Sequence, residues 1–102
     1  MGERVFMDRG SCCVWISMSE GRLRLSGQDL GGAMGSDEYE YFITVEPEHF
    51  DAIRAALGAE PDADIIDTMC AHAETIFMKG ETTWLESFGI PYEFSIWVHF
   101  DD

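Results

Sequence analysis

Glu38 and Glu40 stand two residues apart in the stretch Asp37-Glu38-Tyr39-Glu40-Tyr41-Phe42-Ile43-Thr44-Val45. In an extended chain such a pair shares one face, about 6.5–7 Å apart. That separation is compatible with the paired carboxylates of a glycosidase. Acids at this spacing are also common in an acidic protein, and a chain of 102 residues leaves little room for a cleft. A cysteine nucleophile would need Cys13 beside His99. The many surrounding carboxylates would disfavour its thiolate, which is the opposite of activation.

Metal chemistry is poorly served. Cys70 and His72, and likewise His49 and Asp51, are two residues apart on expected helices, where such pairs do not face each other. No CxxC or HExxH pair occurs. Asp62, Asp64 and Asp67 resemble part of a calcium loop, but the sixth-position Gly and twelfth-position Glu are missing. The Gly-rich stretch from Gly27 to Ser36 runs into Asp37-Glu38 and a strand. A phosphate cradle needs a Lys or a helix there. The expectation is no catalytic residue, no metal and no cofactor.

The elements that position these residues follow from periodicity. Tyr39, Tyr41, Ile43 and Val45 form one face of the central strand, with Glu38, Glu40, Phe42 and Thr44 on the other. Residues 4–8 read as a short first strand or an arm. Ser11 to Met18 reads as a strand with Cys12, Val14, Ile16 and Met18 on one face and Cys13, Trp15 and Ser17 on the other. Ser19-Glu20-Gly21 is a tight turn. Arg22 to Ser26 returns with Leu23 and Leu25 inward and both arginines outward, facing Glu38 and Glu40 across the sheet.

After Val45 the period changes. Pro47 opens a helix with Glu46 at its cap and Glu48 in its first turn, ending before Gly58. A second helix is expected from Pro61, with Ile65, Ile66, Met69, Ala73, Ile76 and Phe77 as its stripe and Lys79-Gly80 as its end. A third covers Thr83 to Phe88, opened by a Thr83/Glu86 capping box. Tyr92 to Phe100 is the last strand, with Tyr92, Phe94, Ile96, Val98 and Phe100 inward and Glu93, Ser95, Trp97 and His99 outward. The fold class is therefore α+β. One domain spans 1–102, an antiparallel sheet of four or five strands with two or three helices packed on one face.

Composition sets the class of partner. The apolar fraction is 46%, with seven Phe, three Tyr and three Trp, enough for a packed core. Six bases face twenty acids, for a net charge of −14. The imbalance falls after Arg24: residues 25–102 hold only Arg54 and Lys79 as bases. Such a field repels nucleic acid and anionic membrane and attracts basic macromolecules. Three cysteines do not form a disulfide framework. Met1-Gly2-Glu3-Arg4 shows no apolar leader, and no apolar run approaches membrane length, so the expected location is the cytoplasm.

The strings Leu23-Arg24-Leu25-Ser26-Gly27-Gln28-Asp29-Leu30-Gly31, Asp37-Glu38-Tyr39-Glu40-Tyr41 and Gly89-Ile90-Pro91-Tyr92-Glu93-Phe94 together resemble a set of short actinobacterial proteins. That resemblance implies no catalytic residue or cofactor. In size, acidity and layout the chain is also similar to the small immunity proteins of bacterial toxin systems, which implies an inhibitory, non-enzymatic role.

Taken together, the residues point to a partner-binding surface built from Asp37, Glu38, Glu40, Glu46, Glu48, Trp15, Glu93, Trp97 and His99. Its expected partner is a basic protein, such as a toxin or a nucleic-acid-binding protein, which the chain would neutralise as an immunity protein or as a nucleic-acid-mimicking inhibitor, with no direct contact to nucleic acid or membrane. A small-molecule binder or minor enzyme using the Trp15, Trp97 and His99 face is the alternative. A housekeeping domain whose acidity serves solubility is a third.

Overall fold

A computed structural model describes residues 3–8, 12–29 and 38–99, with side chains at 3–8, 12–28 and 40–96. Five strands run β1 (Arg4–Asp8), β2 (Cys12–Ser19), β3 (Arg22–Asp29), β4 (Glu38–Val45) and β5 (Glu93–His99), and they lie in that order in one sheet. Every neighbouring pair is antiparallel. The α+β expectation holds, with five strands.

The turn between β2 and β3 consists of Glu20 and Gly21, with φ of 55° and 80°. Two consecutive positive φ values give a loop whose twist suits an antiparallel hairpin. The register that follows puts Leu23 against Met18 and Val45, and Leu25 against Ile16 and Ile43. Val14, Ile16, Leu23, Leu25, Ile43 and Val45 are all buried on the same face. Arg22 and Arg24 therefore point away from the core, as their alternation with the leucines requires.

Between β4 and β5 the chain makes its helical layer. A 3-10 turn over Pro47–His49 leads into α1 (Phe50–Ala56), with Glu46 extended at the cap. The end is closed by Gly58, at φ 71°. Its N–H bonds to the Ala55 carbonyl and that of Ala59 to Arg54, a paired closure that satisfies two orphan carbonyls. Gly89 closes α4 (Glu81–Ser87) in the same manner, and the flanking Leu85 and Ile90 are both buried.

Three helix expectations need correction. The second helix starts at Ile65 rather than Pro61, because Asp64 turns its carboxylate onto the Asp67 N–H and caps there. Its stripe is then split at His72 into α2 (Ile65–Ala71) and α3 (Ala73–Lys79). Met69, Ala73 and Ile76 still reach the core across the break. The last helix starts at Glu81, with Gly80 at φ 95° before it, so Thr83 lies inside the helix and forms no capping box. Four short helices replace two or three. α3 packs on β1 and α2 on β2.

The last strand departs from its expected inward set. Phe94 and Ile96 lie on the helix side of the sheet, where Phe94 stacks on Tyr41 with ring centroids 6.0 Å apart. Yet they remain 50% and 51% exposed. The helices pack toward the other edge of the sheet, α3 on β1 and α2 on β2, and leave β5 largely uncovered. Phe100 lies outside the described residues. Met18, assigned to the core side, sits at the hairpin end and is also exposed.

Candidate functional site

The two faces of the sheet carry different chemistry. On the outer face, Trp15, Ser26, Phe42 and Ser95 follow one another across β2 to β5. The neighbouring rung is Ser17, Arg24, Thr44 and Glu93. The Arg24 guanidinium lies 4.4 Å from the centroid of the Phe42 ring, a cation–π contact worth about 0.5–1 kcal/mol at an exposed site. Trp15, Ser17, Arg24, Ser26, Phe42, Glu40 and Glu3 line an open depression of about 470 Å³.

The cross-strand pairing expected of Arg22 and Arg24 with Glu38 and Glu40 meets a different register, and the Glu38 side chain lies outside the described ones. Arg22 pairs with Glu46 at 2.9 Å and stands 3.7 Å from Glu20. Register explains the change: Glu40 faces Gln28, and Arg24 faces Thr44, so acid and base are two rungs apart. Arg4 pairs with Asp67, and Arg54 with Asp51 at 2.9 Å. These pairs are exposed on at least one side, where solvent screening leaves them little net contribution.

The structure distributes the sequence-predicted surface over two regions. Trp15 and Glu40 share the depression with Arg24 and Phe42. Glu46 and Glu93 lie with Thr44, His49, Pro91 and Tyr92 around a smaller hollow of about 120 Å³. Glu48 is close by, 3.7 Å from His49 and largely exposed. Asp37 lies outside the described residues. For Glu38, Trp97 and His99 the structure gives the backbone, which sets Glu38 opposite His99 and Glu40 opposite Trp97. The nearness of Cys13 to His99 that a cysteine nucleophile would need is not provided by the backbone, which sets β3 and β4 between the two residues.

A third region was not anticipated from the sequence. On the helix side, Cys12, Tyr41, Ile43, Gly80, Glu81, Thr82, Phe94 and Ile96 line an open groove of about 420 Å³. Its floor is Tyr41, whose ring covers Gly27. A Cβ built at Gly27 would lie 2.1 Å from the Tyr41 ring. The Tyr41 hydroxyl donates to the Glu81 carboxylate at 2.6 Å, and Glu81 is only 8% exposed. The sequence carried no signal for it, because an unbroken second helix from Pro61 to Lys79 is long enough to cover the last strand, and only its split at His72 shortens it.

The thiols carry no disulfide. Burial pushes the Cys70 thiol up, with Asp67 and Asp64 adding to the effect and Arg4 opposing it. Loss of solvent also raises Cys13, assisted by its hydrogen bond to Asp8. The Glu86 carboxylate accepts the Tyr92 hydroxyl and raises that phenol. None of these shifts produces an activated nucleophile, because each favours the protonated form. Among the described residues no group of three or more His, Cys, Asp or Glu is placed to hold a metal. Among them too, no helix is long and apolar enough to cross a membrane.

No family model, curated protein or solved structure matches this chain.

Proposed function

We propose that this chain is a small, non-enzymatic, acidic binding protein of the cytoplasm that neutralises a basic protein partner. Its most concrete form is an inhibitor of a basic toxin, in the manner of an immunity protein. A nuclease toxin must be basic to grip phosphate, and an acidic inhibitor can occupy the same groove. The observation that carries the reading is the disposition of charge. Arg4, Arg22 and Arg54 are already paired inside the chain, and Arg24 covers Phe42. The surplus of fourteen acids is therefore left to act outward as a field. Trp15 and Phe42 beside Arg24 supply the residue types that anchor interfaces.

The test is affinity capture from the native host with the tagged chain, followed by identification of what is retained. A basic protein that elutes with salt, and whose toxicity the chain relieves, is the expected result. Recovery of no basic macromolecule sinks the proposal. A small-molecule binder is the second reading, favoured by the depression over Trp15, Phe42 and Arg24, whose aromatic rings suit a flat aromatic ligand. Under that reading Trp15 fluorescence responds to a small ligand and not to a protein.

A further inference from the structure

We infer that the groove beside β5 is a docking site for an extended, basic segment of a protein partner, with an arginine or lysine reaching Glu81. The inference deepens the basic-partner reading and rests on it, but moves the anchor to the opposite face of the sheet from Trp15.

Three observations converge on the groove. Among the described residues β5 is an edge strand, so alternate residues turn their N–H and C=O groups away from β4. Its described residues include no Pro and no Lys, the usual guards against strand addition. Phe94 and Ile96 are half exposed on its helix-side face and form an apolar wall with Ile43 and Cys12. At the end of that wall lies Glu81, 8% exposed, whose hydrogen-bond partner is the neutral Tyr41 hydroxyl. A carboxylate this buried is costly without a cation, and none of the pairs formed by Arg4, Arg22 or Arg54 involves it. A long basic side chain matches the site in both parts. Its methylene stem lies along the apolar wall while its charged head reaches the carboxylate.

The occupant is a basic partner rather than a second copy. Two copies each carry a charge of −14 and bring no surplus of cations to Glu81. An added strand also presents side chains alternately to the two faces. Those on the helix side enter the groove, and those on the other meet the face that carries Glu93.

The probe is the peptide acetyl-Val-Arg-Val-Arg-Val-amide, titrated into the 15N-labelled protein at about 150 mM salt to suppress diffuse attraction. The control peptide has Glu in place of Arg. Saturable shifts at Glu81, Thr82 and Glu93 to Ile96 are expected with the arginine peptide and not with the control. Slowed hydrogen exchange along β5 is expected with them. Glu81→Gln keeps an acceptor for Tyr41 and should weaken the arginine peptide about tenfold. Phe94→Ser, at a half-exposed position, should weaken it independently of that carboxylate.

Shifts centred on Trp15, Arg24 and Phe42 overturn the assignment while leaving the basic-partner reading standing. Equal binding by Glu81→Gln, or no saturable binding, also overturns it. So does sedimentation showing a dimer joined through β5, or contacts in the free protein showing that the chain fills the groove itself. A recovered basic partner that binds Glu81→Gln as tightly as wild type removes the groove alone. Failure to recover any basic partner removes the underlying reading.

Discussion

Tyr41 does three things at once: its ring covers Gly27, stacks on Phe94, and its hydroxyl donates to Glu81. The glycine is required because any Cβ there would occupy the ring's place. Gly27→Ala should displace the ring and cost about 1–3 kcal/mol, as overpacking does. A urea melt with an unchanged midpoint would refute the close approach. Tyr41→Phe should be milder in packing but leave Glu81 without its donor, costing about 1–3 kcal/mol. At Cys70 the argument concerns protonation. Its folded-state pKa is raised, chiefly by burial, so the thiol form is favoured in the fold. That contribution to stability is present below the unfolded pKa and is lost as pH rises through the folded value. Alkylation followed by mass spectrometry should accordingly show Cys70 half-reactive at a pH above the ordinary cysteine value of about 8.5. A half-reactive point at or below that pH would contradict it.

At the scale of elements, what alternates was legible and what depends on packing was not. The hairpin from Cys12 to Asp29 follows from Leu23 and Leu25 alternating with two arginines after Glu20-Gly21. The helix ends at Gly58 and Gly89 follow from a positive φ that favours glycine. By contrast, nothing local marks the break at His72, which is neither Gly nor Pro, and the apolar stripe runs through it unchanged. Thr83 and Glu86 offered a capping box, but Gly80 starts the helix earlier and brings Glu81 over Tyr41. Half of the proposed binding surface was likewise a matter of register. Alternation put Trp15 and Glu40 on one face, but not which rung each base would occupy. Three variants test the helical layer by their stability. Ile65→Ala should cost about 2–5 kcal/mol, and Ile66→Ala, at a partly buried position, less. Asp64→Ala should cost about 1 kcal/mol as the loss of a cap. Equal losses at Ile65 and Ile66 would mean that α2 presents a different face to the sheet.

For the whole molecule, charge and shape make separable demands on a basic partner. The charge of −14 acts at long range and governs encounter, whereas anchors in contact govern residence. The association rate with such a partner should therefore fall about tenfold or more as the Debye length shrinks from about 30 Å to about 8 Å. The dissociation rate should change much less. Glu48 is well placed to test encounter, since it is largely exposed and the ring it approaches, at 3.7 Å, is that of His49 rather than an arginine or lysine. Glu46 is a poorer choice, because removing it releases Arg22 and so changes two charges' surroundings. Glu48→Gln should slow association slightly and leave dissociation alone. Trp15→Ala, if the outer depression is the anchor, should speed dissociation with little effect on association. If the groove beside β5 is the anchor, that kinetic signature moves to Phe94→Ser and Glu81→Gln, and Trp15→Ala becomes silent. Surface-binding kinetics of the four variants at two salt concentrations thus separate the faces. An association rate indifferent to salt would remove charge from the mechanism, whichever face binds.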